Sequence, residues 1–229
     1  FGHTAATTTG YPTIKKSELK KFDFSHGIHD HVFTLNNGEA WPVKISIPQL
    51  EPGETAALIV SLHWAGGPKT YQEYFDCLVR PATDSLNAIV ITPSSDNGGR
   101  WFEEATEERV IHLVRNVQKY WPVTENQTII TGYSNGAIGA WKYAAKYPKL
   151  FRAAVPVSGS YNVIKVNIPV YLIHGAKDEL FPVGPVMDAV DESVQLGSSI
   201  QHEIILGLNH YQGCDYVDPL NRMFIKALK

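Results

Sequence analysis

Alternation is the first pattern along the chain. Val43-Lys44-Ile45-Ser46-Ile47 carries an apolar side chain at every second position, and Val32-Phe33-Thr34-Leu35 precedes it across Asn36-Asn37-Gly38. The two runs read as strands of a hairpin closed by an Asn-Gly turn. From residue 57 the rhythm changes to short apolar or β-branched runs at 57–62, 88–92, 128–131, 153–157, 169–173 and 203–206. Runs of that length and composition suit strands buried on both faces. Between them lie helical spacings. Val110, Leu113, Val114, Val117 and Trp121 form one stripe within 105–121, behind Glu103, Glu104, Glu107 and Glu108 at the positive N-terminal end. Pro185 suits the first turn of a helix running to about Leu196, and Asp218-Pro219 starts a last helix that buries Leu220, Phe224 and Leu228. About eight strands alternating with five or six helices predict an α/β fold: a mostly parallel sheet with helices on both faces and an antiparallel hairpin at its N-terminal edge. Residues 1–28, rich in Thr, Lys and Gly, show no sustained period and are expected to be an extended or mobile arm; residues 29–229 are expected to be a single catalytic domain.

Chemistry enters at residues 132–136, Gly-Tyr-Ser-Asn-Gly, between the run ending at Thr131 and an Ala-rich stretch that reads as a helix. A serine flanked by glycines at a strand-to-helix turn is held on a sharp bend, with its hydroxyl exposed and the helix's free N–H groups beside it. Such a serine needs a base, and the base needs an anchor. Asp178 follows the strand ending at Ile173, and His210 follows the strand ending at Leu206, giving the order Ser134, Asp178, His210. Glu179 is the rival acid. His202 is the rival base, but it precedes the predicted strand and so falls at the wrong end of the sheet. Upstream, the run 57–62 leads into His63-Trp64-Ala65-Gly66-Gly67, a turn able to aim backbone N–H groups inward.

These segments resemble the α/β-hydrolase superfamily, and are most similar to the small, lidless carboxylesterase and phospholipase group that includes the acyl-protein thioesterases. The resemblance spans about residues 29–229. It is carried by 63–67, 132–136, His174-Gly175 through Asp178 with Phe181-Pro182 behind it, and 207–210. The chain departs from that group at Trp64, where glycine is usual, and at Ala137-Ile138. The resemblance implies an oxyanion hole made by the backbone amides of Ala65 and Asn135, structural roles for His63 and His174, and no cofactor. It implies an acyl-enzyme route on small or medium carboxylic esters. A thioesterase, a small peptidase and an esterase for sugar or plant-polymer esters of the same fold are the alternatives. A non-catalytic binding module is disfavoured because all three triad positions are filled. Only about a dozen residues separate the runs at 157 and 169, too few for a cap domain, so selectivity is expected from an aromatic rim: Trp64, Trp101, Tyr133, Phe181 and Tyr211, with Phe102 nearby.

The remaining composition narrows partners more than mechanism. A formal charge of −3 with no run of like charge gives no basic field for nucleic acid, and no stretch has the length needed to span a bilayer. A soluble protein is expected, cytoplasmic or secreted. The chain opens Phe-Gly-His-Thr, as a processed form would, so a removed signal peptide stays open. Cys77, in a predicted helix, and Cys214 are expected as free, buried thiols more than as a disulfide, since spacing says nothing of distance. His29 and His31 would share a face if extended, but they offer too few ligands for zinc, so a solvated loop is expected there. Asn126-Gln127-Thr128 spells a glycosylation sequon, a triplet common by chance.

Overall fold

The computed structural model describes residues 10–229. Eight strands form one sheet: β1 (Gly27–Thr34), β2 (Ala40–Ile47), β3 (Ala56–Leu62), β4 (Ala88–Pro93), β5 (Val123–Tyr133), β6 (Ala153–Val157), β7 (Val170–Gly175) and β8 (Ile200–Ile205). Their order is β1-β2-β4-β3-β5-β6-β7-β8. The pairs β1–β2 and β2–β4 are antiparallel, and the rest are parallel. The helices are α1 (Lys16–Lys20), α2 (Thr70–Tyr74), α3 (Arg80–Thr83), α4 (Glu104–Tyr120), α5 (Asn135–Lys146), α6 (Val183–Gln195) and α7 (Val217–Leu228), with a π-helical turn Phe75–Val79 joining α2 to α3.

The period of two explains how continuous apolar strands serve two cores. Leu58, Val60 and Leu62 of β3 point to one face, with Ile89, Ile91 and Ile130, and pack beneath α4, α5 and α6. Ala57 and Ile59, with Val90, Ile129 and Val155, point to the other face beneath the α2–α3 segment and α7. Every residue of β3 and β4 is therefore buried. In β2 only Trp41, Val43, Ile45 and Ile47 are buried, the alternation read from the sequence. The hairpin turns through Gly38, at φ 90°, with the Gly38 amide donating to the Leu35 carbonyl at 2.9 Å. A positive φ there favours glycine.

Three expectations are corrected. Residues 10–28 are not an extended arm: α1 buries Leu19 completely, Phe22 stacks on Trp121 at 4.6 Å, and the Trp121 indole donates to the Leu19 carbonyl at 3.0 Å. A five-residue helix is too short to leave a periodic signal. Residues 1–9 of that predicted arm lie outside the described residues. Next, β1 starts at Gly27, so His29 and His31 lie on a strand and not in a solvated loop; both rings face Phe22, at 5.2 and 5.1 Å. Last, β8 starts at Ile200, which puts His202 inside the strand and exposed, while His210 lies beyond its carboxyl end. No helix among the described residues is long and apolar enough to cross a membrane.

Candidate active site

β5 passes into α5 through Gly-Tyr-Ser-Asn-Gly, and Ser134 sits at φ 57°, ψ −116°. A non-glycine residue in that region costs about 1–3 kcal/mol and persists only where its surroundings determine it. Here they do. The Ser134 amide donates to the Val157 carbonyl at 3.0 Å, and the Ser134 carbonyl accepts from Ile138 at 3.1 Å. A Cβ on Gly132 would overlap the Gly136 carbonyl, and one on Gly136 would overlap the Leu62 carbonyl at the end of β3. The glycines are required because three backbones meet at this turn.

The carboxyl ends of β7 and β8 bring in the other two groups. Ser134 Oγ lies 2.9 Å from His210 Nε2, and His210 Nδ1 lies 2.9 Å from Asp178 Oδ2. Asp178 Oδ1 accepts the amides of Leu180 at 3.0 Å and Phe181 at 2.7 Å. An ionised carboxylate only accepts, so the proton of the imidazole sits on Nδ1 and the Nε2 lone pair faces the serine hydroxyl. That arrangement can draw the proton from Oγ as it attacks a carbonyl carbon. All three side chains are buried, Ser134 to 7% exposure. The rival Glu179 reaches only the backbone amide of His210, at 3.4 Å.

His63 and His174 are held otherwise. His63 Nδ1 donates to the Trp64 carbonyl at 2.6 Å, and its Nε2 accepts the Ser95 amide at 3.1 Å. This ring ties the β3 turn to the segment after β4. His174 Nε2 donates to the Phe181 carbonyl at 2.7 Å, steadying the turn that carries Asp178. Burial pushes the pKa of both rings below the usual histidine value. Burial also pushes the Tyr133 phenol up, and its hydroxyl donates to the His210 carbonyl at 2.7 Å.

A cavity of about 370 Å³ opens over Ser134 and His210, lined by Trp64, Tyr133 and Tyr211 of the expected rim and by Ala65. Glu73, Leu180, Gly213 and Cys214 also line it and were not expected. Leu180 could have been found from its place beside the acid. Glu73 had no signal. Asn135 is the first residue of α5, where the N–H has no partner within the helix.

Two expected wall residues sit elsewhere. Trp101 is fully buried; its indole donates to the His63 carbonyl at 2.8 Å and its ring meets that histidine edge-on at 5.0 Å. It fits because Gly139 has no side chain, since a Cβ there would lie 2.7 Å from that of Trp101. Phe181 packs on the His210 ring at 5.6 Å and does not line the cavity. The cysteines are joined, Cys77 to Cys214, with Cα atoms 5.2 Å apart, which corrects the expectation of free thiols. Among the described residues no three His, Cys, Asp or Glu side chains gather in a metal-holding group.

The comparisons with known proteins agree with this geometry in fold. The chain is 26% identical over 136 residues to the esterase YpfH of Escherichia coli (strain K12), covering 52% of this chain and 59% of that protein. The chain spans little more than half the length of the relatives it matches. A thermostable esterase superposes with a TM-score of 0.72 at 23% identity, over 88% of this chain and 62% of that one. The substrate-bound fluorophosphonate-binding serine hydrolase FphF of Staphylococcus aureus superposes with a TM-score of 0.74 at 14% identity, over 90% and 100%. The sequence pattern of the phospholipase/carboxylesterase family matches residues 91–215, more than half of the chain and the part that holds Ser134, Asp178 and His210, so the chain belongs to that family of α/β-hydrolases.

Proposed function

We propose that the chain is a serine carboxylesterase, with residues 29–229 acting as one catalytic unit. Ser134 is the nucleophile, His210 the general base and then acid, and Asp178 the anchor that holds the imidazole. Ser134 Oγ attacks the ester carbonyl while its proton passes to His210 Nε2. The tetrahedral oxyanion lies against the amides of Ala65 and Asn135, each worth about 10²–10³ in rate for such a donor. His210 then protonates the departing alcohol, leaving an acyl-serine that water cleaves by the same steps. No cofactor is needed. One observation carries the reading: the 2.9 Å contacts from Ser134 to His210 and from His210 to Asp178 at the foot of an accessible cavity.

The walls support the substrate class. Trp64, Tyr133, Tyr211 and Leu180 favour an ester with an apolar or aromatic group, and among the described residues no lysine or arginine lines the cavity to attract an anionic one. The Cys77–Cys214 bond supports work in an oxidising compartment. Replacing Ser134 by Ala should lower kcat on a chromogenic short-chain ester about 10⁵-fold or more with the fold intact. Near-normal turnover would refute the assignment. Matched oxygen-ester, thioester and amide substrates then separate esterase from thioesterase and peptidase.

A further inference from the structure

The loop between β8 and α7 carries His210, and it also supplies Gly213 and Cys214 to the cavity wall. Its hydrogen bonds to the body are few. Tyr133 donates to the His210 carbonyl at 2.7 Å, the Lys177 amide donates to the Leu208 carbonyl at 3.0 Å, and the His210 ring donates to Asp178 at 2.9 Å. The His210 amide reaches Glu179 only at 3.4 Å. Other bonds, among them Tyr216 O–H to the Asn209 carbonyl, Asn209 N–H to Gln212 Oε1 and Tyr211 N–H to Asn209 Oδ1, stay inside the loop and fix it to nothing.

The covalent tie is Cys214 to Cys77. It fastens the loop to the π-helical turn after α2, a segment anchored by Tyr74, whose buried hydroxyl bonds Ser61 Oγ on β3 at 2.6 Å. Trp64 is enclosed between these attachments. Its ring meets Tyr74 at 5.1 Å and Tyr133 at 5.4 Å edge-on, and a Cβ on Gly213 would lie 2.8 Å from it. One bond therefore closes a stack of three layers: the α2 anchor, the Trp64 wall and the His210 loop.

We propose that the Cys77–Cys214 disulfide is a positioning element of the reaction, holding His210 in reach of Ser134 and Trp64 against the cavity, so that full turnover requires the bond. The inference rests on the ester-hydrolysing role of Ser134. Cys214 is exposed, so a dithiol can reach its sulfur. One thiolate attacks and breaks the S–S bond, the second displaces the mixed disulfide, and the dithiol leaves as a cyclic disulfide with both cysteines as thiols. Two electrons and two protons pass to the protein.

Closing a chain separation of 137 residues also stabilises the fold, and the test must part that effect from positioning. A misplacement of about 1 Å can cost about 10²-fold in rate. In dithiothreitol, at a temperature where circular dichroism shows the reduced protein folded, kcat should fall about tenfold or more and KM should rise, both recovering on reoxidation. The double variant Cys77→Ala with Cys214→Ala should start at the lower rate and ignore dithiothreitol. An unchanged kcat in folded, reduced protein overturns the proposal. A second measurement guards against unfolding: the reduced thiols are bridged again with 1,3-dichloroacetone, which keeps the chain closure but lengthens the tie. kcat stays low if position matters, and full recovery overturns the proposal. A fluorophosphonate that fails to label Ser134 in the oxidised protein defeats the esterase reading and this inference with it; equal labelling rates before and after reduction defeat the inference alone.

Discussion

Replacing Asp178 by Asn changes one atom and should remove most of the activity. The two amides of Leu180 and Phe181 donate to Oδ1 at 3.0 and 2.7 Å, so an asparagine must turn its oxygen to them. Its NH₂ then faces His210 Nδ1, where the carboxylate oxygen accepted the Nδ1–H hydrogen bond at 2.9 Å. A donor facing a donor is repulsive, so the imidazole moves its proton to Nε2. Nε2–H then points at Ser134 Oγ and cannot take its proton. The same change of tautomer elsewhere lowers kcat about 10⁴-fold, which corresponds to about 5.5 kcal/mol in the barrier. The assay is kcat on a chromogenic ester, with thermal melting to show the fold is kept. Glu179→Gln is the matched control: its contact is long, goes to backbone, and survives as an amide oxygen, so kcat should change less than about threefold. An Asp178→Asn enzyme retaining a tenth of the activity, or a larger loss at Glu179, would refute the reasoning.

Two more expectations follow from the buried core of the site. Trp101→Phe shrinks a fully buried ring and removes the donor to the His63 carbonyl, so unfolding in urea should show a loss of about 2–4 kcal/mol with KM unchanged; a large rise in KM would return Trp101 to the cavity wall. His63 and His174 hold protons less well when folded, because burial lowers their pKa. Unfolding therefore takes up protons below about pH 6.5, so stability is full above that pH and is lost as pH falls toward the lowered folded values, by up to about 1.4 kcal/mol per unit for each ring. Urea midpoints at pH 7.5 and 5.5 test this, and equal midpoints would contradict it.

How much was legible follows from the range of each signal. Ser134 could be read because its constraint is local: strand, glycines and helix are contiguous, and Gly136 must clear the Leu62 carbonyl whatever lies further off. Asp178 and His210 were readable from strand ends, since parallel strands deliver their carboxyl ends to one edge of the sheet. Trp101 was misplaced because its direction depends on Gly139, a distant residue that leaves room for it to turn inward. Cys77 and Cys214 meet through the packing of the π-helical turn Phe75–Val79 against the His210 loop, and a separation of 137 residues encodes no distance. The segment around α1 is held by scattered contacts of Ile14, Leu19, Phe22 and Phe24, whose spacing makes no period.

The proposed esterase function stands on Ser134 as the activated nucleophile. Its most direct test is treatment of the oxidised protein with a fluorophosphonate, followed by proteolysis and mass spectrometry of the peptides. One equivalent of adduct is expected, on the peptide bearing Ser134, with labelling slowed at least about 10³-fold in Asp178→Asn because the same proton transfer drives it. No adduct, or an adduct on another serine, would contradict it.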